Sequence, residues 1–276
     1  MYRISPVVKN LLMINVLFFI ATCLSGLYNT PGNLFSLDNP MMRHLALYYP
    51  QSEFFGPYQF VTHIFMHGGI THILFNMYAL WMFGVPIENA WGGKRFLFYY
   101  LFTGLGAAAL HTLVNCLVFA GIASDITAFS NAPSPDLFRQ FIEAYKDGYT
   151  TETVGRWYQL YDEYLANPNS PGLINNAVFL MEQVRISIMN IPTVGASGAV
   201  FGILLAFGMM YPNATLMLIL PPIPIRAKWF VLGYGVIELI LGVSQQGSSI
   251  AHFAHVGGML FGYILIKYWS KKSYHR

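Results

Sequence analysis

Uncharged apolar runs of about 20 residues recur along this chain, and each is long enough to cross the hydrocarbon core of a bilayer as a helix. The apolar fraction is 55% and the charged fraction 10%, against roughly 45–50% and about 25% in ordinary soluble domains. That excess needs lipid to cover it, so the expected class is an all-α polytopic membrane protein. The net charge of +3 is small, and no basic run is interleaved with aromatics, so nucleic acid is not an expected partner. Cys23 and Cys116 both lie inside apolar runs, with neither metal-ligand nor disulfide-framework spacing.

Six transmembrane helices are expected in one membrane domain over 1–276, at approximately 8–28, 62–85, 95–121, 193–211, 228–244 and 250–269. An even number puts both termini on one side. Taken as cytoplasmic, that side holds Arg3, Lys9, Lys94, Arg95, Arg226, Lys228, Lys267, Lys271, Lys272 and Arg276. The short opposite loops hold Arg43, and the other basic residues sit in one long segment where the positive-inside bias counts little. Both termini are therefore expected in the cytoplasm. A signal peptide is the alternative for the first run; its length, the lack of a small-x-small cleavage site and the runs that follow favour a spanning helix.

Residues 122–192 read as water-facing, an extracytoplasmic insertion with acidic residues set among aromatics. Ser134-Pro135-Asp136 looks like a helix start, Leu137, Phe138, Phe141, Ile142 and Tyr145 recur at helical spacing, and Gly148 ends the segment. A second helix is expected over 152–166, stopping at Asn167-Pro168, and a third from Ser170-Pro171 towards Pro192. These amphipathic helices either lie on the bilayer, anchored by Trp157, Tyr158, Tyr161 and Tyr164, or form a small solvated cap.

Polar side chains inside spans cost several kcal/mol unless paired, so three clusters call for a reason. In the second span, His72 and Asn76 stand one helical turn apart and present an imidazole and a carboxamide on the same face. Both can donate hydrogen bonds to one anion. His63 and His67 read as structural, the latter lying about 140° around the helix from His72. The fourth span opens with Gly195-Ala196-Ser197-Gly198. Its serine sits in the first turn, where free N–H groups and the helix dipole favour a negative charge. Gly198, Gly202 and Ala206 form a small-residue stripe suited to close helix contact. In the sixth span, positions 251, 255, 258 and 262 share a face, which sets His255 in a second small-residue stripe. His252 lies about 60° away and reads as structural or interfacial. The spacing nominates His255 as the base for Ser197.

Together these clusters resemble the rhomboid family of intramembrane serine proteases, in its bacterial type with a six-span core and an enlarged loop between the third and fourth spans. The motifs are His67-x4-His72-x3-Asn76, Gly195-Ala196-Ser197-Gly198 and Ala254-His255-x2-Gly258-x3-Gly262, in family order on alternate spans. The resemblance implies Ser197 as nucleophile, His255 as general base and then acid, and His72 with Asn76 as oxyanion donors beside the Ser197 N–H. It also implies membrane-anchored protein substrates, residence in a bacterial inner membrane, and no metal or organic cofactor. The family pattern is a Ser-His dyad. Glu238 is therefore read as a bundle-facing, hydrogen-bonded residue, an orienting carboxylate being the alternative. The family's Trp-Arg pair before the second span reads Tyr58-Gln59 here, which leaves open how the first outer loop is anchored. Two other classes remain: a catalytically inactive rhomboid-like client-binding protein, and a transporter or channel using the intramembrane histidines and Glu238 as a polar pathway.

Overall fold

Backbone amides in lipid must bond within their own segment, and long helices result. The computed structural model describes residues 4–29, 33, 35–36, 38–217, 223–244 and 252–273. Positions 250–251, with Ala251 of the sixth-span stripe, and Arg3 and Arg276 lie outside the described residues, as does the side chain of Lys272. In chain order the helices are α1 (Pro6–Asn29), α2 (Pro40–Leu45), α3 (Gln59–Thr62), α4 (Ile70–Trp91), α5 (Gly93–Asn131), α6 (Pro135–Tyr145), α7 (Thr151–Ala166), α8 (Pro171–Met189), α9 (Ser197–Met210), α10 (Ala227–Ser244) and α11 (His252–Ser273). A short antiparallel pair, β1 (Thr215–Met217) with β2 (Pro224–Arg226), lies between α9 and α10. Among the described residues, Pro6–Tyr28, Ile70–Trp91, Gly93–Asn131 and Ala227–Ser244 are long and apolar enough to cross a bilayer, and α9 is a shorter apolar helix. The all-α membrane bundle is as expected; the six-span count is a proposal.

Buried along most of its length, α9 forms the centre, against α4, α5 and α11. Glycine lets it sit there. A Cβ on Gly258 of α11 would stand 1.8 Å from the carbonyl oxygen of Gly198, a backbone atom that cannot swing aside. Gly202 instead faces Thr103 of α5 and Gly262 faces Tyr99, whose Oη donates to the Gly202 carbonyl at 2.7 Å. The two small-residue stripes thus wedge α9 between α5 and α11. Gly258→Ala is expected to force α9 from α11 and destabilise the bundle by about 1–3 kcal/mol, read as a lowered unfolding temperature in detergent.

Two register expectations need correction. The helix carrying the second expected span begins at Ile70, not 62. Residues 59–65 form α3 and a 3-10 turn, Gly68 and Gly69 break the chain, and Gly69 caps α4. His63 and His67 therefore lie before α4, and no helical angle relates them to His72. At the other end α4 runs on to Trp91 and takes in a buried acid, Glu88. Its carboxylate accepts from the N–H groups of Val7 (2.9 Å) and Val8 (2.8 Å) and from Ser5 Oγ (2.6 Å), capping α1. Glu88→Ala is expected to strand those donors at a cost of about 1–3 kcal/mol. A thermal unfolding comparison with Ser5→Ala, which removes one bond and leaves the cap, checks it.

The third helix does not end near 121. At 39 residues α5 is about 58 Å long, nearly twice a hydrocarbon core of about 30 Å, so its end must project. Phe119, Ile122, Ile126 and Phe129 on that end form the spine of a second core with α6, α7 and α8. Trp157 and Tyr164 belong to this core rather than to the bilayer surface, because both are buried in the cap itself. Pro135 and Pro171 open α6 and α8, and Ser134 Oγ accepts from the N–H of Leu137. Tyr145 Oη donates to Asp125 of α5 at 3.1 Å, and burial together with that carboxylate pushes the phenol up to about 12. Gln59 anchors the first loop, the point that the sequence leaves open. It is fully buried, accepts the Tyr48 N–H at 3.3 Å, and donates to the carbonyls of His44 (3.1 Å) and Phe54 (2.8 Å).

Candidate active site

Ser197 is the first residue of α9, with Ala196 at the N-cap. The N–H groups of a first turn have no partner within the helix, and the dipole's positive end lies there. At 14 residues α9 is about 21 Å long and falls short of the hydrocarbon thickness. If Met210 reaches one interface, Ser197 lies below the other. The Gly258–Gly198 contact brings α11 to this end of α9. His255 Nε2 stands 2.9 Å from Ser197 Oγ. Its ring is stacked on Phe201 one turn further along α9, at 4.2 Å between centroids and 4° between planes, which fixes the ring's plane.

Gly195 has φ +124°, a conformation L side chains rarely adopt. A Cβ there would meet His72 Cε1 at 2.7 Å, His72 Nε2 at 2.8 Å and Ser197 Oγ at 3.5 Å. Imidazole edge and hydroxyl thus flank one small space. Gly68 N–H donates to His72 Nδ1 at 3.4 Å, and a neutral imidazole accepting at Nδ1 carries its proton on Nε2. That N–H faces the space beside Gly195. Asn76 is buried one turn below, its Nδ2 donating to the His72 carbonyl at 3.0 Å. One of its two amide hydrogens is therefore held by its own helix. His67 lies in the loop with its ring 5.2 Å from that of His72. The His63 ring bonds the Gln59 carbonyl at 2.8 Å, and the His63 carbonyl accepts the Gly195 N–H at 2.9 Å. His63 thereby holds the loop entering α9.

Behind His255 stands Glu238 of α10. Its Oε2 is 2.8 Å from His255 Nδ1 and 2.7 Å from His252 Nδ1. The residue is bundle-facing and hydrogen-bonded, and one of its partners is the histidine that faces Ser197. Sequence spacing could not find this, since nothing in it fixes the rotation of α10 against α11. These donors could in principle ligate a cation. Their separations of 2.7 and 2.8 Å are those of N–H···O bonds, whereas ligands of a tetrahedral zinc ion stand about 3.4 Å apart.

Comparison with known proteins gives the family of the chain. The family model described as Rhomboid domain matches residues 55–139 and 163–272. The chain belongs to the Rhomboid family. Rhomboid protein 1, mitochondrial, of Saccharomyces cerevisiae is 34% identical over 87 residues, 32% of this chain and 25% of that protein. Rhomboid protease GluP of Bacillus subtilis is 42% identical over 48 residues, 17% of this chain and 10% of that one. Rhomboid-like protein 15 of Arabidopsis thaliana is 38% identical over 63 residues, 23% and 16% respectively. Each alignment spans a quarter or less of the relative's length. This rhomboid is an integral membrane protein, and His72, Asn76, Ser197, Glu238 and His255 all fall within the matched stretches. Residues 140–162, the end of α6 and most of α7, lie between those stretches.

Proposed function

We propose that this rhomboid is an intramembrane serine endopeptidase that cleaves peptide bonds in or near the spanning segments of membrane-anchored proteins. The observation that carries the reading is the 2.9 Å contact of Ser197 Oγ with His255 Nε2 at the start of a helix too short to cross the bilayer. Ser197 Oγ attacks the carbonyl carbon while His255 Nε2 takes its proton. The resulting oxyanion is held by the Ser197 N–H and by His72 Nε2–H, with Asn76 as the further donor. Collapse breaks the C–N bond, and His255 returns the proton to the leaving amine. Water, activated by the same histidine, then hydrolyses the acyl-enzyme.

A regular helix hides its peptide bonds, so a susceptible substrate enters sideways from lipid and carries helix-weakening residues near the outer boundary, with a small residue before the cut. The excess of Lys and Arg on the terminal side supports cytoplasmic termini and an outward-facing cap over 122–192, in a bacterial inner membrane. The test is cleavage of a single-span reporter in proteoliposomes of the purified chain. Cleavage within or beside the span by the wild type is expected. A reporter that is bound and never cut would overturn the reading in favour of client binding.

A further inference from the structure

We infer that Glu238 is a positioning residue for the catalytic histidine, so that the site works as a Glu238–His255–Ser197 relay, with His252 as a second anchor of the carboxylate. The inference rests on the reading of Ser197 and His255 as nucleophile and base. It goes beyond that reading by adding a third member on α10.

An intramembrane carboxylate is costly unless its oxygens are paired. Glu238 is buried, yet both donors found for it converge on one atom, Oε2, from His252 Nδ1 at 2.7 Å and His255 Nδ1 at 2.8 Å. A residue kept only to tie α10 to α11 has no need to meet the ring nitrogen opposite Ser197. The consequence for His255 is chemical. A neutral imidazole carries one N–H. With that hydrogen on Nδ1 and donated to Glu238, the Nε2 lone pair faces Ser197 Oγ at 2.9 Å and can accept its proton. With the hydrogen on Nε2, the ring donates to the serine and cannot act as its base. The stack on Phe201 sets the plane of the ring but does not distinguish these tautomers.

Once His255 takes the proton it becomes an imidazolium 2.8 Å from the carboxylate, a charge pair formed only after the reaction begins. Among the described residues, the groups around His255 are Glu238 on α10, His252 on α11, Ser197 and Phe201 on α9, His72 on α4 and His111 on α5. Glu238 is the one acid among them. His252 Nε2 is buried and has no hydrogen-bond partner among the described residues, so the polar contact of His252 is the one to Glu238.

Glu238→Gln tests the relay because it keeps the shape and the packing, removes the charge, and offers an amide N–H where His255 needs an acceptor. Turnover of the reporter is expected to fall about 10²–10⁴-fold, with KM within about threefold. Inactivation by a fluorophosphonate should slow by the same factor as turnover. Glu238→Asp, which retains the charge, should recover part of the loss. Turnover of Glu238→Gln within about threefold of an active wild type would overturn the inference while leaving Ser197 and His255 in their roles.

Should the variant fail to fold, nitrogen NMR of histidine-labelled wild-type protein still decides. A proton on Nδ1 of His255 supports the relay, and a proton on Nε2 overturns it. A wild type that neither cleaves nor reacts with the fluorophosphonate removes the parent reading and the relay with it.

Discussion

Ser197→Ala and His255→Ala are each expected to abolish cleavage of a membrane-anchored reporter, with the protein still folded. Where nucleophile and base act as a unit, losing either costs about 10⁶ in turnover, and losing both costs little more. The unit here is one hydrogen bond between two helices. The closest approach of α9 to α11 depends on Gly258, whereas His255 adds the ring stack on Phe201 and one bond to Glu238. The double variant should be as inactive as each single one; Ser197→Ala should unfold within a few degrees of the wild type, and the two variants that lack His255 lower, by the loss of its stack on Phe201 and its bond to Glu238. Cleavage rates and thermal unfolding in one detergent check both halves. A double variant far slower than either single one would mean that the two residues act separately.

His72→Ala is expected to lower turnover about 10²–10³-fold, roughly 2.7–4 kcal/mol of transition-state stabilisation, with KM little changed. His72 presents Nε2 to the space beside Gly195 that Ser197 Oγ also borders. Asn76→Ala should cost less, because one amide hydrogen of Asn76 is already engaged by the His72 carbonyl. His63→Ala is the contrast. It removes the buried bond from the ring to the Gln59 carbonyl, which still accepts the backbone N–H of residue 63, at about 0.5–1.5 kcal/mol of stability. Its activity should fall only as its fold does. Steady-state kinetics and unfolding of the three variants separate the roles, and full activity in both His72→Ala and Asn76→Ala would leave the Ser197 N–H as the only oxyanion donor.

Much of the bundle was legible because span length and small-residue spacing are one-dimensional properties. Gly198, Gly258 and Gly262 mark close helix contacts in the sequence as they do in the fold, although Gly198, Gly202 and Gly262 face α5. The break before α4 was missed because an apolar run hid it. Gly68-Gly69 was the available signal, and reading it as a helix breaker would have placed His63 and His67 in the loop. The projecting end of α5 was missed for the opposite reason. Asp125 and its polar neighbours look like the end of a span, yet a helix that leaves lipid can continue if it packs a second core.

At the site, Ser197, His255 and His72 could be nominated from spacing alone. The partnership of Glu238 with His255 could not, because two residues on different helices meet only once the rotation of each helix is known. Glu88 escaped for a related reason: it lies beyond the expected end of the second span, and its partners are N–H groups at the start of α1.

The most direct test is the reaction of the purified protein with a fluorophosphonate, read by mass spectrometry of the labelled peptide. The account predicts a single adduct on Ser197 in the wild type and none in His255→Ala. Labelling of another residue, or labelling of Ser197 that does not need His255, would contradict it.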